Sequence, residues 1–524
     1  MGLPKYFIPV SQVDLSSGGE KPNGRRARAL VIAISGVALL ATVLRLLHSG
    51  SKSLWVDECA SLAFAQQPWI AFWKTMWRGE ANMLTYYLLL RGWLHLGNTE
   101  FIVRVLSVLP AVASIFVIYL LGRHLFSISV GLLSALLLAV NACHIAYSQE
   151  ARAYSLLVLF CTLSILRLVI AVEHPTTGNW FLYALVTTAA VYTHFFAGLL
   201  MLAQWLSLSV LPLQFLDLKK FSKSVLSIVL SIVPALWFML TKDVGQIDFI
   251  PNPGILEVYR LVLFLASYGG KVFGVLLAAV YLVCVGISLW VFSATWRRSG
   301  RSIQSWRLAL VLSCLVTPVF LDVSISHLGK QIFYYRYLII CLPALILLAA
   351  FGFCCIRPRR LFAGGLAIVA ALSLATVGRY YAKPKQDWRD ATEYLALNTR
   401  SEDTVVFYPW HAQLPLKYYQ QQLHFSADRL HIVAAQFYVL SAPPLGRSEV
   451  VWLLSCREDA YLRSFQNSLS AMYPYHHELR YDGGVVVEKY SNQELRDQKD
   501  QDSDPVVNST ARSTHFHSNG VPIS

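Results

Sequence analysis

Apolar runs of close to twenty residues alternate with short polar connectors from about Ala29 to Tyr381. A helix rising 1.5 Å per residue needs about 20 such residues to cross a hydrocarbon core of about 30 Å. Eleven runs fit that length, near 29–47, 101–121, 128–147, 152–172, 180–195, 196–213, 224–240, 273–293, 307–323, 337–355 and 361–380. Two further apolar stretches, 82–96 and 255–268, fit either interfacial segments or additional spans. The pattern predicts a mainly α, polytopic membrane protein with about eleven transmembrane helices.

Positive charge orients these spans, because Lys and Arg collect in cytoplasmic loops. Arg25, Arg26 and Arg28 precede the first run, and Arg123 follows the second. Lys219, Lys220 and Lys223 follow the sixth, Arg297, Arg298, Arg301 and Arg307 the eighth, and Arg357, Arg359 and Arg360 the tenth. With eleven spans every cluster falls on one side. The segment 1–28 is then cytoplasmic, and the first run is a retained helix, since it lacks a small-residue cleavage site.

Segment 48–100 becomes a long first outer loop. In it Trp69, Phe72, Trp73, Met76 and Trp77 recur at helical spacing, with Lys74 and Arg78 off that stripe. This fits a helix lying in the membrane interface. Beyond the transmembrane region 29–381 the pattern changes. Gln386–Thr399 and Asp459–Met472 carry helical periodicity, and Asp403–Tyr408 and Glu449–Ser455 carry strand patterns. Glu478–Lys489 has Asp482-Gly-Gly484 at its centre, a hairpin pattern. Residues 382–490 are expected to form a small α/β extracytoplasmic domain, and 491–524 a disordered tail. Asn508-Ser-Thr in that tail matches a glycosylation acceptor by composition alone.

Composition narrows the class further. Of the 524 residues, 56% are hydrophobic and 14% charged, and the mean hydropathy is +0.49, which excludes an ordinary soluble protein. The net charge of +14 does not indicate nucleic acid, because the basic residues sit in the short loops between spans. The nine cysteines contain no Cys-x-x-Cys and lie mostly inside apolar runs, where a thiol packs as a small hydrophobe.

Unusual polar residues gather on the outer side of this topology. Asp57 and Glu58 stand in the first outer loop. Gln149, Glu150, Arg152 and Tyr154 stand at the turn between the third and fourth spans. His194 stands between the fifth and sixth, and Arg336 at the start of the tenth. Ionisable groups at membrane depth are candidates for function. Each also has a structural reading: a turn-fixing ion pair for Glu150 and Arg152, an interfacial histidine, a snorkelling arginine, a helix cap for the acids. The chemistry that fits all of them is transfer from a phosphate leaving group. A carboxylate takes a proton from an attacking hydroxyl, and guanidinium groups hold a phosphate and stabilise its growing charge. Glu150 is close enough in sequence to orient Arg152. An outer-face site has no access to cytoplasmic nucleotide sugars, whereas a lipid-anchored donor in the same bilayer reaches it.

Trp55-Val-Asp-Glu-Cys-Ala-Ser61, Arg104, Tyr147-Ser-Gln-Glu-Ala-Arg-Ala-Tyr154, His194, Tyr335-Arg-Tyr337 and Asp387-Trp-Arg-Asp390 together resemble the bacterial GT-C-type membrane glycosyltransferases. These are relatives of the protein O-mannosyltransferases and the lipid A aminoarabinose transferase. The resemblance covers about residues 29–400. It implies a polyprenyl-phosphate-linked sugar donor, inversion at the anomeric carbon and an aspartate base in the first outer loop, by position Asp57. It gives Glu58 the second acidic place, which in such enzymes binds a divalent metal or positions the acceptor. Glu150, Arg152, Tyr154, His194 and Arg336 are then substrate-binding candidates. The acceptor, a cell-envelope lipid, glycan or protein, does not follow from it. The alternative is a transporter or flippase of lipid-linked sugars, which calls for polar residues deep in several spans rather than at one face.

The orientation has a direct test. Single cysteines at 52, 245, 327 and 420, in a chain lacking its native cysteines, are expected to react with a membrane-impermeant thiol reagent from outside, and a cysteine at 300 is not. Protection at 420 with labelling at 52 would break the eleven-span topology.

Overall fold

The computed structural model describes residues 24–241, 250, 252–269, 271–329, 331–400, 402–423, 431–434 and 449–492. Most of the 1–28 segment, labelling position 245 and nearly all of the 491–524 tail with Asn508 lie outside them. The chain divides into two compact units. One is Met1–Asp390 with Leu414–Tyr419, the other Ala391–Gln413 with Gln420–Ser524.

The first unit is helical. Helix α1 (Gly24–Leu46) is followed by the short helices α2 (Val56–Ala65), α3 (Trp69–Thr75) and α4 (Leu84–Trp93). Then come α5 (Glu100–Leu125), α6 (Ile128–Ala139), α7 (Ala142–Ser148), α8 (Tyr154–Glu173), α9 (Thr177–Thr193) and α10 (Ala197–Ser207). Helices α11 (Leu218–Thr241), α12 (Ile255–Ser267), α13 (Val272–Ser299), α14 (Ile303–His327), α15 (Leu342–Cys354) and α16 (Arg359–Ala382) complete it. Among the described residues, eight helices are long and apolar enough to cross a membrane, or nine if the bent pair α6 and α7 is one span. The expectation of eleven also counted 180–195 and 196–213. Those are helices of 17 residues and of 14 (Ala197–Val210), at and below the lower end of the roughly 17–25 residues that a crossing takes.

Small residues let the spans approach. A Cβ on Gly131 would sit 2.5 Å from the carbonyl oxygen of Tyr119, and one on Gly352 2.0 Å from that of Cys284. The first brings α5 onto α6 and the second α13 onto α15, the use of glycine common to membrane helix interfaces. In the first loop Trp69, Ile70, Trp73 and Trp77 are exposed while Phe72 and Met76 are buried. Arg91 covers Trp69 at 4.0 Å from the ring centre.

The bend of 59° between α6 and α7 releases carbonyls that a dry environment leaves without water. Arg45, buried on α1, answers them. It donates to the carbonyls of Ala139 (3.0 Å) and Leu138 (3.1 Å) and to His144 Nδ1 (2.7 Å). Asn141, at the break, accepts from His144 N at 2.9 Å. Its amide donates to the carbonyls of Leu265 and Ala266 at the end of α12. Gln149, at the end of α7, donates to the Arg45 carbonyl (3.0 Å) and accepts from the Tyr380 hydroxyl (2.9 Å). The broken span delivers the 149–152 turn to the end of α1.

The second unit holds a five-stranded sheet, β1 (Thr404–Tyr408), β2 (His431–Ala434), β3 (Val450–Ser455), β4 (Tyr475–Tyr481) and β5 (Val485–Ser491), in the order β2-β1-β3-β5-β4. The first three strands are parallel and the last two pairings antiparallel. The hairpin between β4 and β5 turns at Gly483 (φ 71°) and Gly484 (φ 84°), backbone angles that glycine adopts without a Cβ penalty. Val406, Val451, Leu453 and Tyr490 pack against Leu462 and Leu469 of the helix Ala460–Met472.

Arg45→Leu takes the arginine donor from the Ala139 carbonyl, at a cost of about 1–3 kcal/mol for a buried unpaired group, and leaves the Leu138 carbonyl only the long bond from Asn141 N (3.4 Å). The purified variant is expected to melt several degrees below the wild type in the same detergent. An unchanged melting temperature would remove Arg45 as the cap of the broken span.

Candidate active site

The site is built around the start of α2. Trp55 caps the helix, and its N–H donates to Glu58 Oε2 at 3.3 Å. Consecutive helical residues point about 100° apart, so Asp57 and Glu58 cannot share one surface. Glu58 turns inward and is fully buried, while Asp57 is 35% exposed.

Arg104 of α5 meets Glu58 with Nε on Oε1 (2.8 Å) and Nη2 on Oε2 (2.7 Å). Its remaining N–H groups donate to the carbonyls of Ser49 (2.8 Å), Lys52 (2.7 Å) and Ser53 (2.9 Å). Ala151 N adds a bond of 2.9 Å to Glu58 Oε1. Burial alone would push the Glu58 carboxyl up, but Arg104 and Lys385 outweigh it and hold the group at about 2. This corrects the expectation for Glu58. With four N–H donors on its two oxygens it has no lone pair to offer a metal or an acceptor, and it anchors the loop instead. Among the described residues no cluster of three or more His, Cys, Asp or Glu side chains fits a metal ion.

Asp57 Oδ2 lies 3.2 Å from Arg336 Nη1 and 3.8 Å from Arg152 Nη2, and among the described residues Oδ1 has no partner. Arg152 also donates to Ser61 Oγ at 3.2 Å. Arg336 donates to the Tyr334 hydroxyl at 2.7 Å and lies 4.6 Å over that ring and 5.5 Å over Trp55. Three segments far apart in sequence therefore bring one carboxylate and two guanidinium groups together. Despite burial, Arg152 is held above its ordinary value, with Asp57 the largest favourable charge.

Glu150 does not orient Arg152 through its carboxylate, as its sequence position suggested. Arg152 N bonds the Glu150 backbone carbonyl (2.8 Å), and the carboxylate turns to Lys385, with Nζ 3.8 Å from Oε1. His194 is buried, with Asn82 Nδ2 3.3 Å from Nε2 and Phe196 N donating to Nδ1 at 3.3 Å. Its ring packs 4.9 Å from Tyr337 and 6.1 Å from Tyr154, so it shapes the wall. Trp55, Ser61, Tyr334 and Lys385 were not assigned from sequence. Trp55 and Ser61 lie within the quoted first-loop motif, but nothing in the pattern marks Lys385.

Four buried polar atoms here have no hydrogen-bond partner among the described residues: Trp55 Nε1, Arg152 Nε, the Tyr154 hydroxyl and Glu150 Oε2. Tyr154 lies in the field of Arg336, Arg152, Asp57 and Glu150. Orphaned buried groups are rare in native proteins, and these four border the Asp57 site.

The Glu58 carboxyl, lower in the folded chain than its ordinary 4.5, contributes stability that is full above about 4.5 and lost as pH falls toward about 2. Glu58→Gln is therefore expected to lower stability at pH 7 by about 3 kcal/mol, with the gap to wild type narrowing below pH 4.5. A pH-independent gap in melting would show that the charge is not what matters.

Residues 83–238 match the family described as dolichyl-phosphate-mannose-protein mannosyltransferase. Curated protein sequences give no match. Among solved structures, the chain is similar to that of ArnT from Cupriavidus metallidurans bound to undecaprenyl phosphate, at 12% identity and a TM-score of 0.55, over 88% of this chain and 98% of that one. It is also similar to the apo form of the oligosaccharyltransferase of Archaeoglobus fulgidus, at 11% identity and a TM-score of 0.50, over 78% of this chain and 65% of that one. One part of the chain, residues 83–238, is thus similar to that mannosyltransferase family, and the chain shares the fold of these two solved structures.

Proposed function

We propose that the protein moves a sugar from a polyprenyl-phosphate-linked donor to an acceptor hydroxyl on the outer face of the membrane, with inversion at the anomeric carbon. The observation that carries this reading is Asp57 held between Arg152 and Arg336. The similar ArnT structure, bound to undecaprenyl phosphate, supports the same lipid class as donor here.

Arg152 and Arg336 take the donor phosphate. Their planar forks match its oxygens, and two positive charges offset the charge that grows as it departs. The acceptor oxygen attacks the anomeric carbon from the face opposite the phosphate. Its proton passes to Asp57, whose Oδ1 is open. The bond between the anomeric carbon and the phosphate oxygen breaks, and its electron pair leaves with the polyprenyl phosphate. One displacement inverts the carbon, and no covalent sugar–enzyme intermediate forms. The exposed tryptophans of the first loop seat the lipid at headgroup depth. The acceptor is a lipid, glycan or protein of the envelope.

Asp57→Asn keeps the side chain's shape and removes its basicity. Turnover is expected to fall roughly 100-fold or more, measured by mass spectrometry of envelope glycans in cells carrying only the variant. Near-normal product would take Asp57 out of the reaction. Arg152→Lys and Arg336→Lys are expected to weaken undecaprenyl phosphate binding in detergent roughly 10-fold, since a point charge does not reproduce a two-pronged contact. Unchanged affinity for both would overturn the phosphate assignment.

A further inference from the structure

Lys385 follows the end of α16 and belongs to none of the motifs that point to transfer chemistry. Its side chain is 14% exposed and that of Glu150 6%. The ammonium donates to the carbonyl of Gln149 at 3.1 Å and faces Glu150 Oε1 at 3.8 Å. Glu150 Oε2 is left buried without a hydrogen-bond partner among the described residues. A half-paired buried carboxylate is expensive. Its placement two residues from Arg152 and within the field of Asp57 and Arg336 turns that cost toward the substrate.

The missing partner of Oε2 must be a hydrogen-bond donor. A phosphodiester is an acceptor only, and its negative charge is repelled by a carboxylate. A hydroxyl or ammonium on the sugar ring satisfies the atom. Arg336, the other phosphate-holding group, acts on Glu150, so a ring bonded to that phosphate is placed toward Oε2. We propose that Glu150 reads a hydroxyl or ammonium of the transferred sugar through Oε2, and that Lys385 is the positioning residue that keeps Glu150 a carboxylate. This rests on the polyprenyl-phosphate-sugar reading above.

The charged groups acting on Glu150 are Lys385, Glu58, Arg336 and Asp57. Burial pushes the Glu150 carboxyl up and the Lys385 ammonium down, and each opposes the shift of the other. Tyr147, Tyr154, Tyr268, Tyr380 and Cys143 also feel Glu150. All five ordinarily titrate above neutrality. Without Lys385, the like charges of Asp57 and Glu58 and the loss of water leave Glu150 to take up a proton. A protonated Oε2 then donates where it should accept.

The test uses the full chain in lipid nanodiscs and the infrared carbonyl stretch of protonated carboxyls. Lys385→Met is expected to add such a band at pH 7 to the spectrum shared by the wild type and Lys385→Arg, and the added band is expected to be missing from the Lys385→Met/Glu150→Gln double variant. No added band in folded Lys385→Met, or an added band that survives in the double variant, would overturn the counter-ion role. Should Lys385→Met not fold, the difference between wild type and Glu150→Gln reads Glu150 directly, and a protonated Glu150 in the wild type at pH 7 also overturns it. Undecaprenyl phosphate, which carries no sugar, is the binding probe. Glu150→Gln is expected to bind it within about threefold of wild type while transfer in membranes falls at least about tenfold. A tenfold change in affinity for this sugarless lipid would overturn the sugar contact. Failure of the wild type to bind the lipid at all would count against the donor assignment, while the infrared result still decides the role of Lys385.

Discussion

The site depends on one buried ion pair. Arg104 has five N–H donors, and all five are used: two on Glu58 and one each on the carbonyls of Ser49, Lys52 and Ser53. Taking two charges out of water is costly, and such a pair is tolerable only when its remaining valences are filled. Here they are, because Ala151 N and Trp55 N complete Glu58. The same pair therefore fixes the path of the chain after α1, the start of α2 and the turn that follows α7. Asp57 faces outward because Glu58 is pinned inward. Arg152 reaches Asp57 because Ala151 is tied to Glu58.

The surrounding membrane imposes the same logic at every irregular backbone. The break between α6 and α7 is supplied by Arg45, and the end of α12 by Asn141. Lys52 donates to the carbonyls of Tyr381 (2.9 Å) and Lys383 (2.6 Å) where α16 ends. The segment after α16 closes the loop from the other side. Trp388 N and Arg389 N donate to Ser53 Oγ, and Arg389 pairs with Glu100. Long-range polar contacts, rather than helix packing alone, hold the surface around Asp57 against spans whose outward faces are apolar.

Charge and hydropathy alone brought Asp57, Arg152 and Arg336 to one face, because positive loops orient a membrane chain and a polar residue near a span end declares its side. The role of Glu58 was not legible. Two adjacent acids look equivalent until the first residue of α2 is known, and then they point in different directions. Glu150 failed for a related reason: its closeness to Arg152 in sequence says nothing of a lysine that folds back from beyond α16. The break after Val140 was hidden inside an apolar run, since the residues that make it affordable come from α1 and α12. Counting runs also treated 180–195 and 196–213 as equal to the longer spans, although the helices formed there are shorter.

The central claim is that Arg152 and Arg336 form the seat of a lipid phosphate beside Asp57. A structure of the protein in nanodiscs with undecaprenyl phosphate tests it most directly. The expected result is phosphate density within hydrogen-bond distance of both guanidinium groups, with the Asp57 carboxylate still facing the open side of the site. Phosphate density elsewhere on the protein, with Asp57 still paired to both arginines, would contradict it.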